Sequence, residues 1–383
     1  MKVGVLGAGS MGIGIAQIAA TQEHEVILCD NNGAAMEHSL AKMKKILDRQ
    51  VEKGRMEQAE VDGIISRIHP TGMMNEFNDC SIVIEAVVEN LSVKREVFQK
   101  IEEVVEDSCV LATNTSSLSV AAIAAACKHP SRVLGVHFFN PAPLMKLVEL
   151  IPAVQTAPEV LKKTRGLIDS WNKRTVVTKD TPGFIVNRVA RPFYGEALRI
   201  LDEGIADIAT IDWAMTKIGG FRMGPFTLMD YIGNDVNYVV TETVFAAFYY
   251  DPRYKPSFTQ KRLAEAGYWG LKTGRGYYDY AENAVNPVPN EDAVLGQKIV
   301  DRVVVMLINE AVDALFWQIA SAQDIDLAMT KGVNYPKGLL AWAKEIGYAN
   351  CVARLDALYE EYHEDRYRCS PLLRRLANGT ASI

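Results

Sequence analysis

Gly7-Ala8-Gly9-Ser10-Met11-Gly12, preceded by Lys2–Leu6 and followed by Ile13, Ile15 and Ile18, is the stretch on which the fold turns. A β-branched run leads into glycines at GxGxxG spacing and then into apolar residues at helical spacing. The segment therefore reads as strand, tight turn and helix. A second short strand, Glu25–Cys29, ends at Asp30, 23 residues after Gly7. In a Rossmann-like βαβ unit Gly7 permits the turn, Gly9 lets the backbone approach a pyrophosphate, and Gly12 lets helix and strand pack closely. The helix start, Met11 included, offers free N–H groups and a dipole to the anion. Asp30 would accept hydrogen bonds from ribose hydroxyls and repel a 2′-phosphate, which selects NAD over NADP. A glycine turn that binds no nucleotide is the alternative for the same residues.

Outward from this unit, β-branched runs alternate with helical stretches through the first 180 residues. Residues 2–6, 25–29, 81–86, 110–112, 133–137, 146–151 and 175–177 read as strands. Residues 13–22, 34–53, 93–105, 120–126 and 159–171 read as helices. Such alternation predicts a mostly parallel sheet. Asp180-Thr181-Pro182-Gly183 breaks the pattern, and the chain beyond is helical, beginning with a periodic stretch from 185 to about 201. A second break lies at 282–292, around Asn286-Pro287-Val288-Pro289-Asn290. Past it the chain repeats itself: 185–233 align without gaps on 299–347, with Glu196-Ala197 over Glu310-Ala311 and Ala214-Met215-Thr216-Lys217 over Ala328-Met329-Thr330-Lys331. The expected fold is an α/β Rossmann-like N-terminal domain (1–182) followed by two all-α tandem-repeat domains (183–282 and 293–383).

The bulk composition fits a globular chain of two or three domains: 383 residues, 49% hydrophobic and 23% charged. A net charge of -6 argues against a nucleic-acid partner. Six cysteines without paired spacing read as free thiols, and no metal site is visible. No apolar run reaches the roughly 18 residues of a membrane span, and only Met1 precedes the first strand. A cytoplasmic protein is the expectation.

Seven further segments carry a resemblance. Asn114-Thr115-Ser116-Ser117-Leu118, His137-Phe138-Phe139-Asn140-Pro141, Glu149, and Asp180 through Arg188 closely resemble the L-3-hydroxyacyl-CoA dehydrogenase family, as do Gly224-Pro225-Phe226, Asp230 and Gly270 through Tyr278. The likeness runs over residues 1–281, and the second helical copy is similar to longer members with tandem C-terminal domains. It implies an enzyme interconverting (S)-3-hydroxyacyl-CoA and 3-oxoacyl-CoA with NAD. His137 would exchange the proton and Glu149 would hold its ring. A core histidine is the bland alternative for His137.

Other roles follow from the same resemblance. Ser116 and Asn187 would hold the substrate near C3 and its thioester, Asn187 placing the site in the cleft between domains; a helix cap is the alternative for each. Glu89, Lys94, Asn140 and Lys272 would contact NAD, a surface salt bridge being the alternative for Glu89 and Lys94. Ser39, Lys42 and Lys45 on the helix at 34–53 would meet CoA, although Lys42, Lys45, Arg49 and Lys53 also fit a solvated basic face. Asp301 replaces Asn187 in the second copy, so only the first copy would serve a catalytic site. The aromatics Phe245, Phe248, Tyr249, Tyr250, Tyr254, Tyr277 and Tyr278 read mostly as core. A homodimer is expected, or a monomer if the second copy fills the pairing surface within one chain. A dehydrogenase of a free hydroxy or sugar acid and a non-catalytic crystallin-like NAD-binding protein are the competing readings. Acyl chain length, 3-hydroxybutyryl or 3-hydroxyadipyl, is not legible.

Overall fold

A computed structural model describes all 383 residues. The chain divides into two compact units, Met1–Phe184 and Ile185–Ile383.

The first unit is a sheet with helices. In chain order its elements are β1 (Lys2–Leu6), α1 (Ser10–Thr21), β2 (Glu25–Cys29), α2 (Gly33–Glu52), α3 (Gln58–Ser66), β3 (Ile68–Thr71), β4 (Ile82–Glu85), α4 (Leu91–Glu102), β5 (Val110–Thr113), α5 (Val120–Ala124), β6 (Val133–Phe138), β7 (Leu147–Pro152), α6 (Pro158–Ser170) and β8 (Arg174–Val177). The strands form one eight-stranded sheet in the order β3-β2-β1-β4-β5-β6-β7-β8. All neighbours are parallel except β6 and β7. Order reverses between β1 and β4, so the loops leaving these strands diverge and open a crevice at their carboxyl ends. The buried side chains of β4 and β5 show that helices cover both faces of the sheet. Two elements, α3 and β3, were not expected. Pro70 lies inside β3, an edge strand, and weakens its strand signal in the sequence.

The second unit is helical. It comprises α7 (Val186–Val189), α8 (Arg191–Asp202), α9 (Ile208–Trp213), α10 (Pro225–Ile232), α11 (Asn234–Ala247) and α12 (Phe258–Glu265). A second set follows: α13 (Ala293–Phe316), α14 (Ala322–Gly332), α15 (Leu339–Ile346), α16 (Tyr348–Tyr362) and α17 (Pro371–Ala377). The periodic stretch after 185 is two helices broken at Ala190, because Pro192 lacks the N–H that would continue the ladder. In the second set the same stretch is one unbroken helix, α13.

Local hydrogen bonds reproduce the repeat. Asp212 accepts from the Phe226 and Thr227 amides at the start of α10, and Asp326 from the Leu340 and Ala341 amides at the start of α15. The two sets also clasp each other reciprocally. Arg188 Nε lies 2.6 Å from Glu310, and Arg302 Nε lies 3.1 Å from Glu196. The Tyr254 hydroxyl donates to Glu310 at 2.5 Å and the Tyr367 hydroxyl to Glu196 at 3.1 Å. Arg253 and Arg366 complete the two clusters. Contacts in which one residue of each pair answers the other mark a pseudo-two-fold packing. The aromatic expectation holds in full only for Tyr254, which is buried; Phe245, Phe248, Tyr277 and Tyr278 are half-buried, and Tyr249 and Tyr250 stand out to solvent, Tyr249 94% exposed, because α11 ends just before them and both turn to positive φ.

Candidate active site

The glycine turn shows three different environments. Gly7 has φ +99°, and a Cβ there would lie 2.6 Å from the Ala86 carbonyl oxygen. At Gly12 a Cβ would lie 1.7 Å from the Gly7 carbonyl oxygen, so only glycine lets α1 pack on the turn. At Gly9 a Cβ would meet nothing within 4 Å. Gly9 is the N-cap of α1, has no side-chain cap, and is followed by no acid in the first turn. The helix start is therefore open and electropositive, which fits a pyrophosphate. Met11, half-buried, packs on the core beside it. Asp30, at the end of β2, accepts from the Ala8 amide at 2.7 Å and the Asn32 amide at 2.8 Å, which fixes its carboxylate against the turn.

Across the crevice, a buried charge cluster shapes the loops after β4 and β5. Glu85 ends β4 fully buried. It accepts from Lys94 Nζ at 2.6 Å, from the Thr113 hydroxyl at 2.7 Å and from the Val87 amide at 2.7 Å. Lys94 is 1% exposed and also lies 3.3 Å from Glu89, so the surface salt bridge does not hold for it. Glu89 gathers the next loop: its Oε1 accepts from the Thr115 hydroxyl (2.6 Å) and from the Ser116 and Ser117 amides (2.9 and 3.1 Å). Burial pushes the Glu89 carboxyl up, but Lys94, the Thr115 hydroxyl and the Ser116 amide outweigh it and hold the group below its ordinary value. Glu85 went unread in the sequence. Its signal is an acid closing the apolar run Ile82-Val83-Ile84, nine residues before a lysine.

His137 and Glu149 come together. They are opposed partners in the antiparallel β6–β7 register, and His137 Nδ1 lies 2.7 Å from Glu149 Oε2. His137 is 5% exposed and Glu149 is fully buried. Phe139 and Phe184 pack on the imidazole at 4.5 and 5.8 Å between centroids. Asn114 ties this strand to its neighbours: its amide donates to the Glu85 carbonyl and its side-chain oxygen accepts from the Phe138 amide. Ser116 is half-buried beside Glu89, and it is not a helix cap, since Ser119 fills that position on α5. Asp180 braces the same helix start, accepting from the Val120 and Ala121 amides. Asn140 follows β6 and is exposed.

The remaining candidates lie on other elements. Asn187 lies inside α7 and is half-buried; Ile185, not Asn187, is the residue before the helix. Its counterpart Asp301 is paired with Arg354 at 3.1 Å. Lys272 Nζ lies 2.9 Å from Asp235, and the pair is partly exposed. On α2, Met36, Met43 and Leu47 are buried, Ser39 is half-buried, and Lys42 and Lys45 are exposed without an acidic partner. No helix is long and apolar enough to cross a membrane, and no cluster of three or more His, Cys, Asp or Glu is placed to hold a metal. All six cysteines are free and buried.

A Rossmann-like sheet with an open glycine turn, and a histidine–carboxylate pair at the strand ends, define the class of nicotinamide-dependent dehydrogenases. Comparison with known proteins narrows this. Residues 2–181 match the family model described as 3-hydroxyacyl-CoA dehydrogenase, NAD binding domain. Residues 183–280 and 299–381 match the model described as 3-hydroxyacyl-CoA dehydrogenase, C-terminal domain. The chain belongs to the 3-hydroxyacyl-CoA dehydrogenase family. It is 36% identical to a 3-hydroxyadipyl-CoA dehydrogenase of Escherichia coli over 98% of this chain and 97% of that one. It is 39% identical to a probable 3-hydroxybutyryl-CoA dehydrogenase of Bacillus subtilis, over 73% of this chain and 98% of the relative. Among solved structures it resembles a 3-hydroxybutyryl-CoA dehydrogenase from Escherichia coli, with a TM-score of 0.94 and 35% identity over 100% of this chain and 99% of the other.

Proposed function

We propose that this chain is an NAD-dependent enzyme that interconverts (S)-3-hydroxyacyl-CoA and 3-oxoacyl-CoA. The observation that carries this is the directly paired His137 and Glu149 on the sheet whose first turn is open for a pyrophosphate. With Nδ1 donating to Glu149, His137 keeps Nε2 as acceptor for the C3 hydroxyl proton. The bond from C3 to hydrogen breaks as hydride, its electron pair leaving with it, and the C3–O double bond forms. NAD, when bound, supplies the acceptor for that hydride. Glu149 stabilises the imidazolium that results. Ser116 and Asn187 would orient the reacting carbon and thioester.

Gly7, Gly9, Met11, Gly12, Asp30 and Asn140 would hold the cofactor. Glu89 would shape its pocket through the Ser116 loop, braced by Lys94, and Lys272 would add a charge. Ser39, Lys42 and Lys45 would meet the CoA phosphates, which the unpaired lysines favour. The substrate is a short acyl chain, four-carbon 3-hydroxybutyryl or six-carbon 3-hydroxyadipyl, turned over in the cytoplasm. The test is NADH oxidation with acetoacetyl-CoA by the purified chain. Bound NADH with no turnover of any 3-oxoacyl-CoA would sink the reading.

The reciprocal Arg188–Glu310 and Arg302–Glu196 clasps favour a monomer over a homodimer. One chain already holds both halves of a two-fold contact. Sedimentation is expected to give the chain mass of 42.3 kDa, and a species of twice that mass would contradict this.

A further inference from the structure

Arg191 opens α8, four residues after Asn187, or ~6 Å along a helical axis. It is 7% exposed, and its guanidinium makes one hydrogen bond, from Nη1 to the Thr241 hydroxyl at 3.2 Å. Its Nε–H has no partner, and the guanidinium carbon lies over the Tyr194 ring, 4.9 Å from the centroid. The other buried arginines are neutralised: Arg132 by Glu102, Arg188 by Glu310 and Asp313, Arg302 by Glu196 and Glu203, Arg366 by Glu196. Arg191 alone among them faces no carboxylate. Burial lowers its pKa, with only Tyr194 and Tyr335 opposing.

Arg191 lines a small cavity with Thr241, Arg253, Tyr254, Lys255 and Gln260, and Arg253 is itself paired with Asp251 and Asp313. Lys255 is exposed and has no acidic partner, and the Gln260 side-chain oxygen has no hydrogen bond. The second helical copy supplies an internal comparison. Arg191, Asn237 and Thr241 correspond to Val305, Cys351 and Leu355. Beyond them, Arg253-Tyr254 and Ser257 align with Arg366-Tyr367 and Ser370, which sets Gln260 over Leu373. Val305, Cys351, Leu355 and Leu373 are all buried core. The helical fold therefore packs well with apolar residues here, and nothing in it requires a cation. A buried charge kept without a partner calls for an anion from outside.

We propose that Arg191 receives a carboxylate at the far end of the acyl chain, so that the substrate class is the 3-hydroxydicarboxylyl-CoA thioester. This rests on the proposed placement of the reacting carbon at Asn187. Arg191 follows Asn187 by four residues at the start of the next helix, a spacing that a six-carbon acyl chain could bridge. Its free donors match the planar acceptor pair of a carboxylate. A free small dicarboxylate would satisfy the same chemistry, and the experiment separates the two sources.

The full-length chain and its Arg191→Met and Arg191→Lys variants are assayed for NADH oxidation with 3-oxoadipyl-CoA and with 3-oxohexanoyl-CoA. The two esters differ at C6 only. The natural chain is expected to prefer the dicarboxylic ester by ~10²-fold in kcat/KM, mostly through KM. The ratio should fall to near one in Arg191→Met and recover in part in Arg191→Lys. No turnover of either ester would remove the dehydrogenase reading itself. Turnover of both without preference, or a preference that survives Arg191→Met, would overturn only the role of Arg191. Free adipate that raises the melting temperature of the natural chain but not of Arg191→Met, without ester discrimination, would assign the site to a free anion and overturn the substrate class. The melting temperature of ligand-free Arg191→Met is expected at or above that of the natural chain. A variant that fails to fold would mark a structural arginine and overturn the proposal.

Discussion

Glu149 is held against His137 by backbone register, not by a flexible side-chain encounter. The two residues are opposed across β6 and β7, and Nδ1 lies 2.7 Å from Oε2 in a site closed by Phe139 and Phe184. Glu149→Gln keeps an oxygen that can accept from Nδ1 but removes the charge that steadies an imidazolium. We expect kcat to fall ~10²–10⁴-fold with NADH affinity held within a few-fold. Stopped-flow turnover and fluorescence titration of NADH separate the two quantities. A change confined to KM would mean that the pair only binds substrate.

Lys94 sits between two carboxylates, one buried and one at the crevice. Lys94→Met removes the cation that compensates Glu85, and leaving a buried charge unpaired costs about 3–5 kcal/mol. Denaturant titration at pH 7 is expected to show a loss of that order. Glu89 adds a pH dependence of definite sign. Its folded pKa lies below the ordinary 4.5, so its contribution is present above that value and disappears as pH falls through the lowered one. In Glu89→Gln the acid limb of the stability curve should be flatter. An unaltered limb would show that the carboxylate is not held as described.

Much of this was open to reading in the chain itself, because periodicity and glycine spacing are local signals. Seven of the eight strands lie where β-branched runs stand, and the glycine turn declares itself by its neighbours. The histidine–carboxylate pair was visible only through resemblance. A separation of twelve residues fixes no contact until two antiparallel strands set the register. Glu85 was passed over because an acid closing an apolar run is a weak signal by itself, and its partner Lys94 lies on another element. The reciprocal clasp was half visible: the repeat announced two copies, but only packing shows that Arg188 answers Glu310 while Arg302 answers Glu196.

Lys173 anchors the segment after Asn140. Its ammonium donates to the Ala142 and Met145 carbonyls at 2.6 and 2.8 Å, and no carboxylate neutralises it. Burial, with Lys146 adding repulsion, pushes its pKa from 10.5 down to about 8. A base with a depressed folded pKa binds fewer protons folded than unfolded between those values, so its burden on stability lifts as pH rises from about 8 to 10.5. Relative to Lys173→Met, the natural chain should gain stability across that window. Parallel denaturation midpoints at pH 7.5, 9 and 10.5 would show it, and a constant difference between the two proteins would contradict it.

Gly9 and Gly12 belong to one motif, yet the structure gives them opposite sensitivities. A methyl group at Gly12 would sit 1.7 Å from the Gly7 carbonyl oxygen, which forces α1 off the turn. Gly12→Ala is therefore expected to lose about 1–3 kcal/mol or more, the range of overpacked cores, and to lose NADH binding with it. A methyl group at Gly9 meets no protein atom within 4 Å. Gly9→Ala should keep its denaturation midpoint close to that of the natural chain while NADH affinity drops ~10-fold or more, because the side chain enters the space where a pyrophosphate would approach. Thermal melts without cofactor, paired with NADH titrations, test both variants. Equal destabilisation by the two would mean that Gly9 serves packing, and unchanged NADH affinity in Gly9→Ala would move the pyrophosphate away from this turn.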